Sequence, residues 1–150
     1  MKVMVTGHRP PRLHGNEIKV KQWFTQKIEE LKPDKCISGM ATGADQIWAE
    51  CVIQAGIPLC CYFPFPQNKM HPVLKSLVER AAEVRYCCDG YSKSAYFIRD
   101  KAMVDESDVV LVVWDGQKGG GTYITMEYAK KQGKEIYILD VGDGTHFKKS

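Results

Sequence analysis

Residues 108–129 read Asp-Val-Val-Leu-Val-Val-Trp-Asp-Gly-Gln-Lys-Gly-Gly-Gly-Thr-Tyr-Ile-Thr-Met-Glu-Tyr-Ala. Val109 to Val113 is an unbroken apolar run rich in β-branched residues. A strand covered on both faces by helices reads this way. Trp114-Asp115-Gly116 ends the run, and Gly119-Gly120-Gly121 opens a segment of helical spacing. Glycines at a strand-to-helix turn take positive φ and let the backbone approach a ligand. The helix start that follows offers unpaired N–H groups and partial positive charge, which suit a phosphate or another anion. A Gly-rich loop that only makes the turn gives the same pattern, so the rest of the chain has to decide.

Similar units recur upstream. Lys2 to Thr6 reads as a strand, followed by Gly7-His8-Arg9-Pro10-Pro11. The two prolines argue for a loop and against an immediate helix. His8 and Arg9 are either surface polar residues or contacts to an anion or ribose. Glu17 to Leu31 has helical spacing, with Ile18, Trp23, Phe24, Ile28 and Leu31 as its apolar stripe. Lys35 to Ser38 is a second strand and runs into Gly39-Met40-Ala41-Thr42-Gly43-Ala44-Asp45. Thr42 or Asp45 suits a helix cap there, and Asp45 equally suits a ribose hydroxyl. The helix runs to Ala55 and ends at Gly56. Ile57 to Phe63 is a third strand, leading into Phe63-Pro64-Phe65-Pro66, which suits either packing or the wall of a base slot. His71 to Ala82 reads as a helix, Glu83 to Cys87 as a strand and Ser94 to Ser107 as a helix. Gly121 to Gln132 is the last helix and Glu135 to Asp140 the last strand, with 141–150 a polar, basic tail expected to fray. His71 reads as ordinary surface.

This βα alternation predicts a Rossmann-like α/β sandwich with a mostly parallel sheet, in one domain over 1–150. In such sheets the loops at strand carboxyl ends meet at the topological switch point, where ligands bind. Gly7–Arg9, Gly39–Asp45 and Asp115–Thr122 should therefore line one crevice. The totals fit a globular domain: 44% hydrophobic residues, 26% charged and a net charge of +3. That charge is too small to argue for nucleic acid. No apolar run reaches the ~20 residues of a membrane span. No signal peptide precedes the first strand, so a cytoplasmic location is expected. Six cysteines, with Cys60-Cys61 and Cys87-Cys88 adjacent, show no metal-ligand spacing and read as reduced thiols. The reading assigns no metal and no cofactor.

Several motifs together resemble the SLOG superfamily, nearest its YoqJ/YpsA-like branch of bacteria, phages and prophages. They are Val5-Thr6-Gly7-His8-Arg9-Pro10, Ser38-Gly39-Met40-Ala41-Thr42-Gly43-Ala44-Asp45, Pro64-Phe65-Pro66, Arg99-x-x-x-Met103-Val104, and Trp114-Asp115-Gly116 followed by Gly120-Gly121-Thr122. The resemblance implies a nucleotide or nucleotide-derived ligand and pairing into a homodimer or higher homo-oligomer. Relatives include phosphoribohydrolases that release cytokinin bases, the DNA-processing protein DprA, and sensors of NAD-derived signals in phage defence. The phosphoribohydrolase pattern has a glutamate three residues after its Gly-Thr, and here that position is Thr125. Glu127 sits about 140° around the helix from Thr122 and points to solvent. A threonine cannot replace a carboxylate in glycosidic chemistry. Arg99, Asp45 and Asp115 remain the catalytic candidates.

The leading expectation is a nucleotide-binding protein, with an N-glycosidase second and DprA-like DNA binding third. The expected ligand contacts are Gly7, His8, Arg9, Ser38, Gly39, Met40, Gly43, Asp45, Phe65, Arg99, Asp115, Gly119, Gly120, Gly121 and Thr122. Within that set the glycine loops and Arg99 would hold phosphate, Asp45 or Asp115 ribose, and Phe65 the base.

Overall fold

The structure, a computed structural model, describes residues 1–142. Six strands form one sheet in the order β4-β3-β2-β1-β5-β6. They are β1 (Lys2–Gly7), β2 (Lys35–Ser38), β3 (Leu59–Phe63), β4 (Glu83–Tyr86), β5 (Val109–Trp114) and β6 (Glu135–Asp140). Every pairing is parallel. The helices between them are α1 (Glu17–Leu31), α2 (Ala44–Gln54), α3 (Pro72–Glu79), α4 (Ala95–Glu106) and α5 (Gly121–Lys131). The strand order reverses between β1 and β5, which pair from Val3–Val109 to Gly7–Val113.

Alternation along the strands sorts the core into two clusters. Val3, Val5, Cys36, Leu59, Cys61, Val109, Leu111 and Val113 pack with Phe24, Trp48 and Leu77 of α1, α2 and α3. Met4, Ile37, Cys60, Tyr62, Val110 and Val112 face Met103 of α4 and Met126 of α5. The β5 run is apolar throughout because each of its faces meets a helix layer. All six cysteines are free, and burial pushes the Cys36, Cys60 and Cys61 thiols up to about 12.

Some local expectations are corrected. Ile18 is 75% exposed, and the buried stripe of α1 is Val20, Phe24 and Ile28. Ile18 lies two residues from Val20, about 160° away around the axis. Pro10 and Pro11 start a 3-10 turn, Pro10–Leu13, because the first positions of a helix need no N–H partner. His71 is exposed, as expected, and it also caps α3, its Nδ1 accepting from the Val73 amide at 3.2 Å. Neither Thr42 nor Asp45 caps α2, whose N-cap is Gly43. Val141 is not frayed: it is buried, and its amide donates to the Trp114 carbonyl at 3.0 Å. The remainder of the expected tail, 143–150, lies outside the described residues.

Two glycines set how closely the loops pack. A Cβ on Gly7 would stand 2.4 Å from the Ala44 Cβ and 3.0 Å from the Val113 Cβ. Gly43, at φ +91, lies against the His8–Arg9 backbone, where a Cβ would meet the His8 carbonyl oxygen at 2.5 Å. The Ala44 amide donates to that same oxygen at 3.1 Å. Gly7→Ala should therefore lower unfolding free energy by about 2–4 kcal/mol in urea denaturation. Gly90, with open space around its Cβ position and no positive φ, is the control: Gly90→Ala should stay within about 0.5 kcal/mol.

Candidate functional site

A cleft of about 390 Å³ opens over the carboxyl ends of β1 and β5. Its walls come from the loop after β1 (Gly7, His8, Arg9, Arg12), from Ala41 and Asp45 beside α2, from α4, and from Gly121 and Thr122 at the start of α5. A smaller cavity of about 150 Å³ adjoins it over β2 and β3 and shares Arg9, Ala41, Tyr96 and Arg99.

The loops after β1 and β5 are tied together by Asp115. Arg12 forks its carboxylate, with Nε to Oδ2 at 2.9 Å and Nη2 to Oδ1 at 2.7 Å. The Gln117 amide adds a bond at 3.0 Å. These donors, Arg12 foremost, hold the Asp115 carboxyl well below the usual carboxylate range despite burial. His8 is buried, with Nε2 3.2 Å from Asp115 Oδ1 but out of hydrogen-bond alignment. Burial, and then Arg12, lower the His8 pKa, so its imidazole is neutral at pH 7. Asp115 thus acts as a structural tie and does not line the cleft.

A second charged group runs along the cleft floor. Arg99 is 7% exposed and reaches across the sheet edge. Its Nη1 donates to the carbonyls of Gly39 at 2.7 Å and Tyr62 at 3.3 Å, and its Nε to Asp100 Oδ1 at 2.7 Å. Asp45 stands on the other side: the Cβ position of Gly39 lies 2.9 Å from Asp45 Oδ2 and 3.0 Å from Arg99 Nη1. Asp45, Arg99 and Asp100 thus all line the cleft, with Arg99 ion-paired to Asp100. Burial pushes the Asp45 carboxyl up to about 6, with Arg99 opposing and Asp100 adding to the rise. Burial also raises Asp100, against Arg99 and Thr125. Thr125 Oγ1 donates to Asp100 Oδ2 at 3.3 Å. The threonine at the glutamate position therefore steadies a different carboxylate, one helix away.

Of the expected contacts, Gly7, His8, Arg9, Asp45, Arg99, Gly121 and Thr122 line the main cleft. Gly39 and Met40 line the adjoining cavity. Ser38, Gly43, Phe65, Asp115, Gly119 and Gly120 line neither. Ser38 Oγ braces the α2 start, donating to the Asp45 carbonyl at 2.9 Å and accepting from the Met40 amide at 3.2 Å. Phe65 packs edge-on against Tyr91 and Tyr96, and it is Tyr96 that lines the cleft. The sequence reading missed Arg12, Tyr96, Asp100 and Met103. Three of these were signalled: Tyr96, Arg99, Asp100 and Met103 are spaced i, i+3, i+4 and i+7, one face of α4. Glu127 does face away, paired with Lys130 at 3.1 Å.

Fold and cleft together define a Rossmann-like α/β protein. Residues 36–150 match the model of the circularly permutated YpsA SLOG family, and the chain belongs to that family. No curated protein matches it in sequence. Among solved structures, DNA processing protein A (DprA) from Streptococcus pneumoniae superposes with a TM-score of 0.71 at 18% identity, over 91% of this chain and 49% of that one. DprA from Helicobacter pylori, described for its single-stranded DNA binding mode, gives 0.70 at 20% identity, over 92% and 64%. The molybdenum cofactor carrier protein of Chlamydomonas reinhardtii gives 0.64 at 14%, over 91% and 74%. At these identities the likeness shows the fold. The chain spans about half and about two thirds of the two DprA chains. Among the described residues no helix is long and apolar enough to cross a membrane, and no His, Cys, Asp or Glu cluster is placed to hold a metal.

Asp45 gives a stability test. A carboxyl raised on folding binds its proton more tightly in the folded state, so folding loses stability as pH rises from about 4, the ordinary aspartate value, through about 6. Asp45→Asn has no such loss. In urea denaturation it should match wild type near pH 4 and exceed it by about 1–3 kcal/mol at pH 7. A difference independent of pH would refute the raised pKa.

Proposed function

We propose that the cleft binds a nucleotide or nucleotide-derived small molecule. One observation carries this reading: a single cleft of about 390 Å³ brings together a helix N-terminus, the buried Asp45 and Arg99 with the partly buried Asp100, and a half-exposed tyrosine ring. That volume lies in the range of small-molecule sites. Gly121 and Thr122 open α5, where backbone amides have no intrahelical acceptor. Arg9 lines the cleft, and its guanidinium has no ion-pair or hydrogen-bond partner among the described residues. These groups suit a phosphate. Arg99 suits it less, because a carboxylate stands on each side. Tyr96 offers a ring face for a base.

A second reading, hydrolysis of a nucleoside-monophosphate N-glycosidic bond, draws support from Asp100. This carboxylate lines the cleft and is held by Arg99 and Thr125. Single-stranded DNA binding draws less support, since two carboxylates in the cleft would repel a polyphosphate backbone. Self-association belongs to the first reading, because Ile98 of α4 and Ile124 of α5 remain exposed.

The experiment is incubation with mononucleotides, NAD derivatives and cyclic nucleotides, followed by mass spectrometry of the filtrate and of the protein-bound fraction. One compound retained intact is expected, and its affinity should fall about tenfold in Arg9→Ala, as for loss of one charge-assisted bond. Free base accumulating with time, and vanishing in Asp100→Asn, would replace binding with hydrolysis. No compound retained and no free base released would overturn both. Sedimentation of the Ile98→Asp/Ile124→Asp double variant should show a monomer where wild type self-associates.

A further inference from the structure

Resting on the nucleotide reading, we propose that Arg12 is a movable arm of the cleft: a bound anion draws it off Asp115, and His8 takes its place on that carboxylate as an imidazolium. The present arrangement leaves one nitrogen out. Asp115 Oδ1 accepts Arg12 Nη2 at 2.7 Å and the Gln117 amide at 3.0 Å, and a carboxylate oxygen has room for two such bonds. His8 Nε2 stands 3.2 Å from that filled oxygen and has no hydrogen-bond partner, although its side chain is only 4% exposed. A buried polar atom left unpaired is costly. Withdrawal of Nη2 opens Oδ1 to it. Arg12 is placed to withdraw. Its side chain is 35% exposed and lines the cleft. Its Nη1 lies 3.1 Å from the Cβ position of Gly120 and has no hydrogen-bond partner among the described residues. The guanidinium therefore borders both the carboxylate and the glycine loop that opens α5, where a phosphate-like anion would sit. A divalent anion there offers it more charge than Asp115 does.

The proton follows from the surrounding charges. Facing His8 are Arg12 and His14 from the segment after β1 and Asp115 from the loop after β5. His14 Nε2 is 3.5 Å from the other Asp115 oxygen. The α2 start meets the His8 backbone through Gly43 and Ala44, which carry no charge. Asp45 of α2 and Arg99 and Asp100 of α4 line the same cleft. While Arg12 stays on Asp115, burial and the guanidinium keep the imidazole neutral. Once Arg12 turns to the anion, Asp115 loses its main counter-charge, and a proton on His8 restores one. An imidazolium carries N–H at both nitrogens, so Nε2 then donates to Oδ1. The loops after β1 and β5 stay joined throughout, because His8 and Arg12 belong to the same segment. Anion binding and proton uptake are thereby coupled, and each strengthens the other.

The test follows the His8 and His14 imidazoles of the full chain by NMR across the range in which histidine titrates, with and without saturating sulfate at constant ionic strength. Sulfate stays doubly charged throughout, so it brings no proton of its own. Amide shifts at Gly121 and Thr122 report its binding. The His8 midpoint should rise by at least about one pH unit, a gain of about tenfold in proton affinity. The Arg12 Nε–H signal should move as its bond to Asp115 breaks. In Arg12→Gln the His8 midpoint should already stand high, and sulfate should raise it by less than about a third of the wild-type change. An equal rise in that variant would be the field of the anion alone and would overturn the inference. So would an unmoved Arg12 Nε–H signal, an unmoved His8, or a rise confined to His14, in protein that binds sulfate; each leaves the anion site standing. The wild-type signals need no variant, so misfolding of Arg12→Gln cannot hide the result. If sulfate does not bind, the phosphate part of the nucleotide reading falls and the inference with it.

Discussion

The fork of Arg12 on Asp115 is the interaction on which the cleft depends. It joins the loop after β1 to the loop after β5 across the switch point, where parallel strands leave their ends unconnected. A buried carboxylate is costly unless its lone pairs are taken, and here the guanidinium and the Gln117 amide take them. Arg12 also donates to the Gln117 carbonyl at 3.2 Å, so one side chain holds both the strand end and the glycine loop beyond it. The start of α5 is placed by that tie. The backbone contact of Gly43 with His8 places the start of α2 against the same first loop. The cleft is the space left between helix starts fixed in this way.

The fold was legible where the physics is local or repeats. The Val109–Val113 run announced a strand buried on both faces, and the spacing of strands and helices announced the parallel sheet. The α4 face was equally legible in principle, since Tyr96, Arg99, Asp100 and Met103 share one stripe, although only Arg99 and Met103 belong to a motif. The Arg12–Asp115 pair was not legible. Its members stand 103 positions apart, and nothing in either neighbourhood names the other. Ile18 misled because an apolar residue in a first turn fits a stripe by type while facing solvent by angle.

Glycines were the least reliable guide to function. Gly7 and Gly43 read as ligand contacts, and the structure shows what else requires them: Ala44, Val113 and the His8 backbone occupy the room their side chains would fill. Gly119 and Gly121 have open space at the Cβ position, and of these only Gly121 reaches the main cleft. A glycine-rich turn is therefore two signals that look alike in sequence. One is close packing of chain on chain, and the other is open backbone at a helix start.

The division of the core by the sheet has an evolutionary consequence. Odd-numbered β1 and β5 residues answer to α1, α2 and α3, while their even-numbered neighbours answer to α4 and α5. Substitutions in the two layers touch no common side chain, so their effects should add and not compound. One layer can drift while the other stays constant. The charged lining of the cleft is shared between the layers, with Asp45 from one and Arg99 and Asp100 from the other. A change in the charges of that lining therefore involves helices on both sides of the sheet.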